Sequence, residues 1–184
     1  SGLVEIWGMK MGELARLNNI DLWWRDFGNK SDPSVLLIMG ANANALYWDQ
    51  RFIDELVKNK YHVIIFDNRD VGKSTWFNKE PLLAKLGKFV PVSLSRKLVS
   101  YAFKSLVNDD GNFEMPEGKG AKYDLNDMAR DAIGLMDYLE ITKAHIVGAS
   151  MGGMITQVIG LDYPDRVLSL TPIMSSPGVG DNSL

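Results

Sequence analysis

Apolar positions along the chain follow two alternating rhythms. Short unbroken runs occur at Val35 to Met39 (VLLIM), Val63 to Phe66 (VIIF), Ala144 to Gly148 (AHIVG) and Val167 to Ile173. They are too short for helices and carry few charges, which predicts strands buried on both faces, as in a parallel sheet. Ile20 to Phe27 (IDLWWRDF) is rich in β-formers and runs into the turn cluster Gly28-Asn29-Lys30-Ser31-Asp32-Pro33, which predicts a further strand. Elsewhere the period lengthens. A helix is predicted from about Ala45 to Lys58, with Phe52, Leu56 and Val57 on its inner face. Leu125, Met128, Ala129, Ala132, Ile133, Met136 and Leu139 recur at helical spacing behind Asp124, a candidate N-cap. Met151 to Tyr163 reads as a helix ended by Pro164. Strand and helix therefore alternate, the pattern of an α/β fold with a mostly parallel sheet flanked by helices.

Residues 79–122 break this rhythm. Leu94, Leu98, Tyr101, Ala102 and Leu106 form a helical patch, and Pro81 to Asn108 carries Lys85, Lys88, Arg96, Lys97 and Lys104 with no acidic residue. One reading is a lid or interfacial helix over a site. The preferred reading is plainer: an insertion at about 79–122 whose helix packs on the body with a solvated basic face, because short basic amphipathic helices are common. The organisation expected is one core domain over 1–184 interrupted by that insertion.

Composition narrows the chemistry. A length of 184 residues with 46% hydrophobic and 23% charged suits one globular unit with a sizeable core. Twenty basic against 23 acidic side chains give a net charge of −3, so no net basic field exists to hold nucleic acid. With no cysteine, a disulfide framework, a thiol nucleophile and a Cys-ligated zinc site are excluded, and two histidines, His62 and His145, are too few for a His-rich metal site. No cofactor or metal is implied. No run approaches the ~20 apolar residues of a membrane span, and the N-terminus lacks the basic start and apolar stretch of a secretory leader, so a cytoplasmic protein is expected.

The sharpest motif is Gly148-Ala149-Ser150-Met151-Gly152-Gly153. It fits G-x-S-x-G and lies directly after a buried strand and directly before a helix, where that pattern makes a nucleophile elbow. A serine on such a turn projects its hydroxyl above the C-terminal edge of the sheet. Gly148, Gly152 and Gly153 support the elbow because the backbone doubles back with no room for Cβ groups. The helix that follows points its N-terminal N–H groups at the site. The plainer alternative is a glycine-rich turn with an ordinary N-cap serine. An ester hydrolase also needs two backbone donors for its oxyanion. Met151 supplies one as the residue after the nucleophile, and the loop Met39-Gly40-Ala41-Asn42-Ala43 supplies the other, with Ala41 the candidate. Gly72-Lys73-Ser74 looks like the tail of a P-loop, but Asp67 stands where a P-loop needs glycine, and a carboxylate there argues against a phosphate ligand.

Leu37-Ile38-Met39-Gly40, Asp67-Asn68-Arg69-Asp70-Val71-Gly72-Lys73-Ser74 and Gly148-Ala149-Ser150-Met151-Gly152-Gly153 together resemble the serine α/β-hydrolase superfamily in order and spacing, as does Tyr163-Pro164-Asp165-Arg166-Val167. Met-Gly in place of His-Gly, and Ser-Met-Gly followed by Ile155-Thr156-Gln157, resemble bacterial esterases of the aclacinomycin methylesterase type. The Asp70 position is usually Gly in this pattern. The resemblance covers roughly residues 20–175 apart from the insertion. It implies an α/β-hydrolase fold and a Ser-His-Asp esterase acting on a small-molecule ester without a cofactor. Alternatives are cofactor-free haloperoxidase-like or C–C hydrolase chemistry on the same scaffold, or a non-catalytic fragment that binds a ligand or partner. A serine at the elbow argues against dehalogenases and epoxide hydrolases, which place Asp there.

Triads of this superfamily run Ser, acid, His along the chain, and no histidine follows Ser150. His145 precedes it by five residues on the same strand, about 16 Å away at about 3.3 Å per residue. His62 begins its own strand. Both read as structural. The acids that follow, Asp162, Asp165 and Asp181, lack the context of a strand end. The chain is therefore expected to be the N-terminal part of a hydrolase, truncated near the sixth strand of eight, and inactive alone. Its last strand is expected to form an open edge that self-associates or pairs with the missing C-terminal part.

Overall fold

A computed structural model describes residues 12–17, 19–78 and 122–176. The chain divides into two compact units, one of residues 1–77 and 123–184 and one of residues 78–122. Apart from Lys122, the expected insertion and its amphipathic patch lie outside the described residues, as does Asp181.

The first unit is built on a six-stranded sheet: β1 (Glu13–Arg16), β2 (Asp21–Phe27), β3 (Ser34–Ile38), β4 (His62–Phe66), β5 (Ala144–Ala149) and β6 (Val167–Ile173), in spatial order β1-β2-β4-β3-β5-β6. The first two strands run antiparallel to their neighbours, and the remaining pairs are parallel. Helices α1 (Gln50–Lys58), α2 (Leu125–Tyr138) and α3 (Met151–Asp162) connect them, with single 3₁₀ turns at Ala45–Tyr47 and Pro164–Arg166.

The unbroken apolar runs are explained by the pleat. Alternate residues of one strand face opposite sides, and both sides are covered. Leu36, Ile38, Ile64, Phe66 and Ile146 pack with Met128, Ala132 and Met136 of α2 and with Ile155 and Ile159 of α3. Val35, Leu37, Val63, Ile65 and Val147 pack instead with Ala45 and with Ile53 of α1. Helix α2 starts where expected. Asp124 accepts from the Asp127 N–H at 2.9 Å, and Asp127 accepts from the Asp124 N–H at 3.1 Å, a reciprocal capping box.

Three expectations need correction. The helix predicted from Ala45 is broken: Asp49 caps a new start at Gln50, accepting the Arg51 N–H at 2.9 Å. Its buried residue is Ile53, whereas Phe52 is 38% exposed and stacks on Trp48. The run Val167 to Ile173 is a strand but not a buried one, with Leu168 and Leu170 at 49% and 40% exposure. Among the described residues β6 pairs with β5 alone. Pro172, which has no N–H to give to a ladder, is a sequence signal of an open side. Strand β1 has no counterpart in the sequence reading, since four residues with one buried side chain carry almost no pattern.

The loop after β4 is fastened to α2. Arg69 places two nitrogens 2.7 Å from the two carboxylate oxygens of Asp131. Its guanidinium also lies over the rings of Phe77 and Tyr123, 5.1 and 4.9 Å from their centroids. Asp70 adopts φ 59°, a left-handed conformation that favours glycine. Such a conformation fits the pattern that this stretch resembles, in which the position is usually Gly. The Tyr123 hydroxyl donates to the Asp70 carboxylate. Burial first, and that hydrogen bond second, push its pKa up to about 12.

The folded chain holds this proton more tightly than the unfolded chain does. Stability is therefore full below the ordinary tyrosine value of 10 and falls as pH rises from 10 to about 12. Ultraviolet titration is expected to show a late tyrosinate step near 12 that Tyr123→Phe abolishes.

Candidate active site

Strands β3, β4 and β5 are parallel, with Ser34 opposite both His62 and Ala144 and Ile38 opposite Gly148. Their C-terminal ends therefore lie at one edge, and the three loops that follow them meet there. Ser150 sits between β5 and α3 at φ 55° and ψ −121°. This is the strained turn expected of the motif, in a region that non-glycine residues rarely occupy. Its N–H donates to the Ile173 carbonyl at 2.9 Å, and its carbonyl accepts from the Gly153 N–H at 2.8 Å. The side chain makes no capping hydrogen bond. An ordinary N-cap serine would use its hydroxyl to cap the first turn, and Ser150 does not.

The glycines around it are required by contact. A Cβ on Gly148 would lie 2.0 Å from the Gly152 carbonyl oxygen, and one on Gly152 would lie 2.2 Å from the Ile38 carbonyl oxygen. At Gly153 it would press on the Ser175 side chain at 2.5 Å. The sequence places Gly40 in the candidate oxyanion loop but gives it no steric role. A Cβ there would lie 3.1 Å from Ser150 Cβ and 3.6 Å from Ser150 Oγ. The loop after β3 thus lies directly against the serine. Ala41, the next residue, is half-buried, and Asn42 has φ 57°. Among the described residues, the N–H groups of Ala41 and Met151 donate no hydrogen bond.

Asp67, at the mouth of β4, holds these loops together. One carboxylate oxygen accepts the Ala45 N–H at 2.8 Å and the other the Lys73 N–H at 3.0 Å. Burial pushes its pKa above the ordinary value, and the two N–H donors oppose that shift. The Gly72-Lys73-Ser74 stretch is folded onto this carboxylate: a Cβ on Gly72 would fall 2.1 Å from Asp67 Oδ2. The same stretch therefore has no phosphate cradle.

Both histidines lie away from Ser150. His145 is five residues down β5 and has Nδ1 2.8 Å from Ser169 Oγ. His62 is buried at the opposite edge, Nε2 3.1 Å from Asp26 Oδ2 and Nδ1 3.3 Å from Ser34 Oγ. This Asp-His-Ser row borders a cavity of about 450 Å³ that also touches Leu139, Glu140 and Ile141. Leu139 is the C-cap of α2 and the other two follow it, so the cavity borders the negative end of a helix, which disfavours a developing oxyanion. With Ser34 only 8% exposed, the row reads as a hydrogen-bonded tie between β2, β3 and β4. Among the described residues no group of three or more His, Asp or Glu side chains could hold a metal ion. No described helix is long and apolar enough to cross a membrane.

Comparison with known proteins places the fold in a family. Residues 33–182 match the family model described as the alpha/beta hydrolase fold. Rhodomycin D methylesterase DauP of Streptomyces sp. (strain C5) is 26% identical over 157 residues, covering 85% of this chain and 40% of the relative. The 2-hydroxy-6-oxononadienedioate/2-hydroxy-6-oxononatrienedioate hydrolase of Escherichia coli O81 (strain ED1a) is 30% identical, covering 84% and 40%. The chain thus spans about 40% of the length of these curated relatives. Among solved structures, a hydrolase from Pseudomonas aeruginosa PA01 superposes with a TM-score of 0.63 at 20% identity, over 92% of this chain and 48% of the other. Epoxide hydrolase A from Mycobacterium thermoresistibile superposes at 0.60 with 23% identity, over 88% and 38%.

Strain at Ser150 is measurable. Relief of a conformation costing about 1–3 kcal/mol, less about 0.5–1 kcal/mol for the greater freedom of unfolded glycine, leaves Ser150→Gly about 1 kcal/mol more stable in denaturant unfolding. Ser150→Ala keeps the strain and is expected to leave stability unchanged.

Proposed function

The chain belongs to the alpha/beta hydrolase fold family, and from that premise we propose that it carries the nucleophile and oxyanion side of a serine hydrolase acting on carboxylic esters. The observation that carries the reading is Ser150: strained, at a helix N-terminus, with a hydroxyl not used for capping. Similarity to rhodomycin D methylesterases supports an ester as substrate.

In this mechanism Ser150 Oγ attacks the ester carbonyl carbon as a base takes its proton. The carbonyl oxygen becomes an anion held by the N–H groups of Ala41 and Met151, aided by the positive end of α3. The bond to the alkoxy oxygen breaks, and the alcohol leaves with the proton. Water then attacks the acyl-serine by the same route and releases the acid. Neither histidine here reaches Ser150, so the base and its orienting acid are to be sought outside these 184 residues.

A second reading, hydrolysis of a carbon–carbon bond beside a ketone, is supported by the 30% identical Escherichia coli relative. The two differ in the bond cut and share the same serine. Association through β6 belongs to the same proposal. Leu168, Leu170 and Met174 are exposed along it, and an apolar strand edge favours pairing with a second copy or a complementary segment.

Two experiments test this. A fluorophosphonate is expected to label the protein expressed from its complete reading frame at Ser150, and Ser150→Ala to abolish both labelling and ester turnover. The isolated 184-residue chain is expected to turn over at least about 10⁴-fold more slowly, having no base. An unlabelled complete protein would sink the nucleophile assignment and leave a binding role. Light scattering of the isolated chain is expected to show a species larger than a monomer, and a monomer at high micromolar concentration would refute the open-edge reading.

A further inference from the structure

Glycine at position 40 solves one problem and creates another. Without a Cβ, the loop after β3 can lie against Ser150. Glycine also leaves its own φ nearly free, so the peptide joining Met39 to Gly40 can turn over at little steric cost. A turned peptide reverses its dipole, because carbonyl and N–H point opposite ways across a planar trans unit. A carbonyl oxygen turned toward the reacting centre would oppose an oxyanion instead of stabilising it.

Asn68 is placed to prevent this. It is the second residue of the loop after β4, 2% exposed, and its side-chain Nδ2 donates to the Met39 carbonyl at 2.9 Å. That carbonyl also lies beside α3, since a Cβ on Gly152 would fall 2.9 Å from it. With the Met39 oxygen held on the Asn68 side, the Gly40 N–H must point the other way. The next peptide is set from this platform: the Gly40 carbonyl accepts the Ala43 N–H at 3.4 Å, which turns the Ala41 N–H to the opposite side. The Ala43 bond is long, so the Asn68 amide is the stronger of the two restraints.

We propose that Asn68 is a positioning residue for the oxyanion loop, holding the Met39–Gly40 peptide so that the Ala41 N–H stays available to the oxyanion. Asn68 acts through the loop, by its hydrogen bond to the Met39 carbonyl. The inference rests on the hydrolase reading of Ser150 and adds to it a residue from a different loop.

The test uses the protein expressed from its complete reading frame, with a p-nitrophenyl ester and an alkyl boronic acid that forms a tetrahedral adduct with the serine. Asn68→Leu keeps the branching at Cγ and removes the donor. Asn68→Asp keeps the shape and sets a carboxylate against the Met39 carbonyl. Both are expected to lower kcat about 10- to 100-fold, below the ~10²–10³ of a direct oxyanion donor. KM should change less than threefold, and boronate affinity should fall in parallel with kcat. A loss of folded protein alone would lower the titrated active-site concentration and leave kcat per active site unchanged, so rates are referred to fluorophosphonate-titrated sites. Unchanged kcat and boronate affinity per site in either folded variant, with the parent active, would overturn the role of Asn68 and leave Ser150 as nucleophile. A parent protein that neither turns over ester nor labels would refute the hydrolase reading and this inference together.

Discussion

Backbone crowding where the first turn of α3 crosses the ends of β3 and β5 governs the rest of this unit. Three positions, Gly40, Gly148 and Gly152, leave no space or very little for a Cβ. The pairing of Ile38 with Gly148 fixes the relative height of the two strands, and the Ile173 carbonyl holds the Ser150 N–H from the neighbouring strand. The left-handed backbone of Ser150 follows from this crowding: the chain must reverse within one residue to enter a helix already pressed against the strand ends. Packing beneath is close and largely apolar, with Ile146, Ile155 and Ile159 fully buried and the buried Thr156 hydroxyl donating to the Gly152 carbonyl at 2.9 Å, so the strain has a rigid base to act against.

The two edges of the sheet are electrostatically opposite, and this decides where chemistry is possible. Parallel strands joined by helices collect helix N-termini at one edge and C-termini at the other. Ser150 stands at the first, where N–H groups converge. The row of Asp26, His62 and Ser34 stands at the second. Here the chemistry of the row is spent on internal hydrogen bonds.

Much of this was legible in the sequence, for physical reasons that differ by element. The runs VLLIM, VIIF and AHIVG announced themselves because a strand covered on both faces can tolerate few polar residues. The elbow was legible because its glycines are steric requirements and not preferences. Gly40 was legible as part of the loop after β3, but its steric role was not, because only its distance from Ser150 reveals it. The β6 run misled because hydrophobicity reports what a segment would bury, not what lies against it among the described residues. The break at Asp49 was overlooked because the apolar spacing continues through it, and the cap that restarts the helix is a single side chain. The ties of Asp67, Asn68 and Arg69 are long-range pairings with no local pattern at all.

The clasp of Arg69, Asp131, Phe77 and Tyr123 has a consequence for how such a chain can change. The rings of Phe77 and Tyr123 lie 6.0 Å apart, so side chains at the two ends of the interruption in the sheet-bearing unit are within reach of each other. The entropy of closing a connection rises only about 0.6 kcal/mol for each doubling of its length. Once the clasp holds its two ends, lengthening, shortening or exchanging the intervening segment barely burdens the sheet. The clasp therefore works as a socket: a fixed fitting into which segments of different size and character can be set during evolution or by the engineer, while the register of β3, β4 and β5 stays the same.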